Sequence, residues 1–361
     1  MGAILSLPVV GYLLMPSLTS YSTSINILFF YMVCNSENFK GPCTALLTDA
    51  QTWSTLVLSQ PPLKVEVVGT LAIRTLFFLV PSLLFLLFDS IIPSLAVGMK
   101  TQGSAALPTR TGGVRVKRRG GSTPPVLQVL GLSLFNICLG VVIQSAIELL
   151  FTEVLRIRSA LKVSTTLPMP WSIFKDVVRG LLLREVLQYY IHRFILHPDS
   201  ASYISKLHKT YFHSVTAPYS LTAHYDHPLS YILFRFLPTY LPSIIFRTHL
   251  LTYFLLLSII TFEETLTLSG YTTVPGIMLG GIARRQDLHS EGHGRGNFAP
   301  WGLLDWVHGT SIGGDLMEDI GDEAEKHQIK ERGGRAWGNA KESGKEGFKA
   351  WKGRRKSSKK A

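Results

Sequence analysis

The chain has 361 residues, 46% of them hydrophobic and only 17% charged. That length suits one large or two modest domains, and so little charge over apolar residues gathered in blocks excludes an ordinary water-soluble core. The formal charge of +12 is concentrated in a loop and a tail beside apolar blocks, which indicates topology and anionic lipid headgroups and excludes nucleic acid as a partner.

In chain order, residues 1–64 form an N-terminal hydrophobic region with two short apolar runs, Ala3 to Met15 and Ile25 to Val33, and no basic opening of the kind a secretory signal has. Either run falls short of the roughly 20 residues a span needs, so interfacial segments, a tilted pair and an anchor all stay open. Residues 65–170 read as transmembrane helices around a basic loop at 100–125. Val65 to Met99 is long enough to span despite Arg74 and Pro81, and Val126 to Phe151 is the next span. Between them Lys100, Arg110, Arg115, Lys117, Arg118 and Arg119 stand without an acid, the bias of a cytoplasmic loop.

The segment Trp171 to Tyr190 carries Lys175, Asp176, Arg179, Arg184 and Glu185 and is a poor membrane helix by hydropathy. A crossing there would return the chain to the cytoplasmic side; the alternative is an amphipathic surface helix with the basic loop on the lumenal side. Leu229 to Phe262 is apolar but interrupted by Pro238, Pro242 and Arg247, which fits a hairpin of two tilted helices. Such a hairpin puts its flanking segments on one face of the membrane. Residues 313–361 form a polar, Gly-rich tail ending in a basic run, expected to be disordered or held at the membrane surface. Cys34, Cys43 and Cys138 form no CxxC pair and give no thiolate metal site.

Chemistry concentrates at 171–312. Of eleven histidines, nine lie between 192 and 293, where about three would fall by chance, and all of these but His249 come in pairs. They pair as HRFILH (His192, His197), HKTYFH (His208, His213), HYDH (His224, His227) and HSEGH (His289, His293). Neutral imidazoles from several helices can hold a transition metal without thiolate. Residues five apart on an α-helix are rotated by about 140°, so a helix must end in or beside each five-residue pair, as Pro198 does after His197. Asp199, Asp226, Asp287 with Glu291, and Asp305 are candidate carboxylates for orienting ligand imidazoles, or for simple loop roles. His249, His308 and His327 stand outside the pairs. No HExxH helix or GxSxG elbow is present to support a hydrolase.

Together YYIHRFILH, LHK with AHYDHPLSY, SGYTTVP, DLHSEG and GNFAPWGLLDWVHGT resemble the fatty acid hydroxylase and sterol desaturase superfamily, over about a third of the chain. The resemblance implies an all-α integral membrane protein, with about four or more transmembrane helices and a cytosol-facing, histidine-rich helical cap. It implies two irons that use O2 to hydroxylate or desaturate a sterol, sphingoid, fatty acyl or related lipid. Electrons would come from a cytochrome b5 type haem protein, in the endoplasmic reticulum membrane, with clusters and tail cytosolic. His192 and His197 match the first family cluster, His208 and His213 the second, His227 the histidine before proline, and His289 the last. Phe212, Leu268 and Ser290 stand where the family has histidine; His224 and His293 are the nearest replacements. Those three positions also raise the alternative of a membrane scaffold or lipid-binding protein that kept the fold without catalysis.

Overall fold

The computed structural model describes residues 52–108, 124–200, 202–272, 274 and 279–326. The apolar runs before residue 52, the centre of the basic loop and the tail beyond 326, with His327, lie outside the described residues. Among these residues the chain is helical, without a strand, and three helices are long and apolar enough to cross a membrane. They are α1 (Pro62–Ile91), α3 (Val126–Val154) and α7 (Leu250–Thr267). The apolar block expected from Val65 to Met99 is not one helix. Pro93 forces Ile92 out of the helical region, with φ −127° and ψ 61°, and a short α2 (Pro93–Met99) follows. Leu84, Leu87 and Ile91 of α1 and Leu127 and Val142 of α3 are exposed on the protein, as lipid-facing side chains would be.

Helix α4 (Pro170–Ile191) starts on a proline and carries the charges that hydropathy penalises. It packs on α7, which lies at the centre of the bundle, and Gly180 makes the close approach possible: a Cβ there would press into Leu256. A continuous helix over 228–245, called α6, packs between α4 and α7 and includes a π-helical stretch at Ile232–Phe236. The turn at 246–249 separates α6 from α7, so the block Leu229 to Phe262 is two helices. Charge inside this bundle is balanced. Arg184 of α4 reaches Glu263 at 3.0 Å and Glu264 at 3.1 Å on α7, while Arg235 of α6 reaches Glu264 at 2.9 Å. Two cations facing two anions offset a desolvation cost of several kcal/mol per ion that neither sign could bear alone. This clamp fixes α4 two turns before its first histidine.

The remaining helices are short: α5 (Tyr203–Tyr211), α8 (Leu279–Glu291), α9 (Leu303–His308) and α10 (Leu316–Lys326). Glu185 accepts the backbone N–H groups of Trp301, Leu303 and Leu304, which anchors the N-terminus of α9 on α4. The polar tail expected from 313 onward opens with α10 instead of irregular chain. Asp315 and Glu318 form a capping box, Glu318 N–H donating to Asp315 and Asp315 N–H to Glu318. Asp319 of α10 then pairs with Arg284 and Arg285 of α8.

Candidate metal centre

The first histidine pair is built by a change of helix type. Beyond Ile191, α4 widens into a π-helical turn, His192–Leu196, closed by the His197 N–H donating to the His192 carbonyl at 2.9 Å. A π-turn places residues five apart nearly in line, where an α-helix would rotate them away from each other. The two rings come to 5.0 Å between centroids. Pro198 ends the helix there, as expected. In the second pair, α5 carries His208 and gives way to a 3₁₀ turn, Phe212–Ser214, that swings His213 back beside it at 5.2 Å. His289 enters from α8, with its ring 4.5 Å from His192 and 5.0 Å from His213.

His192, His197, His208 and His289 each offer one ring nitrogen that could bind a metal, and these four atoms all lie within 4.8 Å of one another. His213 joins them as a fifth imidazole, its Nε2 3.0 Å from Nε2 of His197. Two nitrogens each about 2.1 Å from one ion at a right angle would be about 3 Å apart. The outer nitrogens of three rings are tied down. Nδ1–H of His192 donates to the Phe298 carbonyl at 2.8 Å, that of His208 to the Asp226 carboxylate at 2.6 Å, and that of His289 to the Gly296 carbonyl at 2.6 Å. Those bonds fix the tautomer and leave Nε2 of each ring buried with no protein partner. Three buried, unpartnered lone pairs this close together are costly unless something accepts them, and a transition metal ion does. The donor set fits a metal.

Electrostatics keep the lone pairs free. Burial, followed by the neighbouring imidazoles, holds His192 and His213 well below the usual histidine range, and His197 falls to about 2. Burial brings His289 down to about 4, against the Gly296 carbonyl bond that supports its charged form. These rings are therefore neutral at pH 7, the form that coordinates metal. Phe234, Phe298 and Phe212 close around the rings and keep the surroundings apolar; Phe212 lies parallel on His208 with centroids 5.0 Å apart.

The carbonyls of Gly296 and Phe298 are held by a braced loop. Asp305 accepts from the N–H groups of Phe298 and Ala299 and from Thr310, and Asn297 bridges Arg285 O and Ile312. Gly294, at φ +82°, lets the loop pass directly against His197, where a Cβ would overlap the imidazole. The sequence reading missed this loop's glycines and Glu185. The signal available was GHGRGNF, with a glycine at every second position.

The structure does not bring His224, His227 and His293 into the cluster. His224 lies 3.3 Å from the Arg74 guanidinium and edge-on to Phe78 at 4.4 Å. Burial and then the Arg74 charge hold it well below the ordinary histidine range. His227 caps α6, its Nδ1 accepting the Leu229 N–H. His293 is exposed in a left-handed backbone conformation, φ 53°. Of the four candidate aspartates, Asp226 holds a site histidine and Asp305 braces the loop. Asp199 is exposed, and Asp287 accepts from Gln102 and lines a separate cavity with Arg284 and Glu291.

Residues 177–310 match the family model described as fatty acid hydroxylase. The chain is 29% identical over 131 residues to fatty acid hydroxylase domain-containing protein 2 of Homo sapiens, a stretch that covers 36% of each chain. It is 26% identical over 192 residues to fatty acid hydroxylase ahd1 of Mycosarcoma maydis, across 52% of this chain and 47% of that one. With methylsterol monooxygenase 1-1 of Arabidopsis thaliana it shares 28% identity over 193 residues, 50% of this chain and 61% of the relative. The matched stretches thus span between 36% and 61% of these relatives. No solved structure matches the chain significantly.

Proposed function

We propose that this chain, whose residues 177–310 belong to the fatty acid hydroxylase and sterol desaturase superfamily, is a membrane-embedded, metal-dependent oxidoreductase that uses O2 to hydroxylate or desaturate a lipid. The observation that carries this reading is the group of four imidazoles whose ligating nitrogens lie within 4.8 Å of one another, three of them with an outer nitrogen already committed. Iron is the metal the family resemblance implies, and imidazole nitrogen suits it. When bound, it would supply the redox chemistry with O2 that no side chain of this protein can perform.

The protein's own part is positional. Phe298, Asp226 and Gly296 hold three rings in one tautomer, so no reorganisation is needed when the ion enters. The Arg184 clamp and the Glu185 anchor keep α4, α7 and the loop at 294–302 in register. Phe212, Phe234 and Phe298 pack against the rings and keep water away from them, so that a bound metal would work in apolar surroundings. Low hydropathy does not bar α4 from the bilayer, because Arg184 is neutralised inside the bundle; with α4 crossing, the cluster lies on the side of the basic loop, the cytosol. The endoplasmic reticulum membrane and a cytochrome b5 type haem donor complete the reading.

A second reading, a scaffold without catalysis, draws on Phe212, Leu268 and Ser290. Feeding ¹⁸O2 to cells that express the wild type or His208→Gln separates the two. The enzyme reading expects a lipid that is ¹⁸O-labelled, or two hydrogens lighter, with the wild type alone. Identical lipid profiles from both, at equal protein levels, would sink it.

A further inference from the structure

We infer that the centre takes one metal ion, held by His192, His197, His208 and His289 with His213 beside them, and that no second ion is bound. This rests on the metal-dependent reading above and narrows it. Opposite nitrogens about 2.1 Å from a single ion are about 4.2 Å apart, whereas the terminal ligands of two ions about 3.5–4 Å apart spread to roughly 7–8 Å. Four donor atoms within 4.8 Å of one another have the dimensions of one ion's shell.

The surroundings are closed to a second ion at each position where more donors would be needed. Phe212 lies flat on His208 and offers it only a ring face. Leu268 is buried in an apolar cluster with Phe78, Tyr219 and Leu221. Ser290 spends its hydroxyl on the Gln286 carbonyl one turn back in α8, at 3.0 Å. His224 has one nitrogen 3.3 Å from Arg74, whose permanent charge repels a cation, which leaves it a single further donor, Nδ1. Among the described residues no second group of three His, Cys, Asp or Glu side chains has metal-binding dimensions. The one set found there consists of imidazoles alone, and among the described residues the carboxylate bonded to it, Asp226, acts through His208.

Titrating the full-length protein in detergent with Co(II), with the ligand-field absorbance read at each step and retained cobalt counted after passage over a chelating resin, tests this. The inference expects an endpoint at one ion per chain, lost in His208→Gln and in His289→Gln and kept in His224→Gln. Two retained ions per chain would overturn the one-ion centre and leave the metal-dependent reading intact. No retained ion would overturn both. One ion lost in His224→Gln but kept in His208→Gln would also overturn it, since the ion would then sit elsewhere.

Discussion

Replacing Asp226 by asparagine tests whether His208 is a ligand oriented from behind. Asp226 is 3% exposed, its Oδ2 accepts the His208 Nδ1–H at 2.6 Å and its Oδ1 accepts the His227 backbone N–H at 2.7 Å. Asparagine keeps the shape but turns one of those oxygens into an NH2 group, so one of two donors loses its acceptor. Removing a partner of this kind weakens metal binding about 10- to 100-fold, or about 1.4–2.7 kcal/mol. Competition against a chromophoric chelator reads the affinity directly. Asp199→Asn, on an exposed aspartate, is the control and should match the wild type. Asp226→Asn with unchanged metal affinity, even if the metal-free protein melts earlier, would show that His208 does not ligate through Nε2.

Three further perturbations have definite expected outcomes. Gly294→Ala should displace His197 and add roughly 1–2 kcal/mol of left-handed backbone strain, seen as weaker metal retention and a lower melting point. Gly280→Ala, where a Cβ would meet nothing within 4 Å, should leave both unchanged. Arg184→Met leaves Glu263 with only the Trp301 indole N–H and Glu264 without its Arg184 partner, and should cost about 3–5 kcal/mol in denaturant unfolding; Arg179→Met, from an exposed pair with Asp176, should cost under about 1 kcal/mol. Finally, the metal-free protein should lose stability on acidification. A buried histidine whose folded pKa is depressed stabilises the fold fully above its unfolded pKa of about 6.5 and less as pH falls toward the folded value. His289, at about 4, contributes about 3 kcal/mol over that window. Melting of the metal-free protein that is flat from pH 7 to pH 4.5 would contradict this.

The cluster was partly legible in the sequence because its histidines sit where local structure punctuates the chain. Pro198 marks the end of the first pair, and the π-turn supplies the geometry that an α-helical wheel forbids to residues five apart. His224 and His227 looked like ligands for the same reason as His208 did: they form a close pair beside a carboxylate. What separates them is distant in sequence or specific to one turn. Arg74, on another helix 150 residues away, claims His224, and Pro228 makes His227 an N-cap. The loop from Gly294 to Gly302 was marked by its glycines and by the GNFAPWGLLDW stretch, but its part in the site was not, because it acts through two backbone carbonyls that no residue type announces. For α10, a polar and Gly-rich composition outweighed the Asp315 to Glu318 capping box, a four-residue signal that turned out to govern the local structure.

X-ray absorption of the protein loaded with one equivalent of Fe(II) under anaerobic conditions addresses the centre most directly. The account predicts a shell of four or five nitrogens at about 2.1 Å, with the outer scattering of imidazole rings, reduced by about one ring in His192→Ala or His289→Ala. An oxygen-dominated shell, or one unchanged by either substitution, would contradict the assignment of the metal to this cluster.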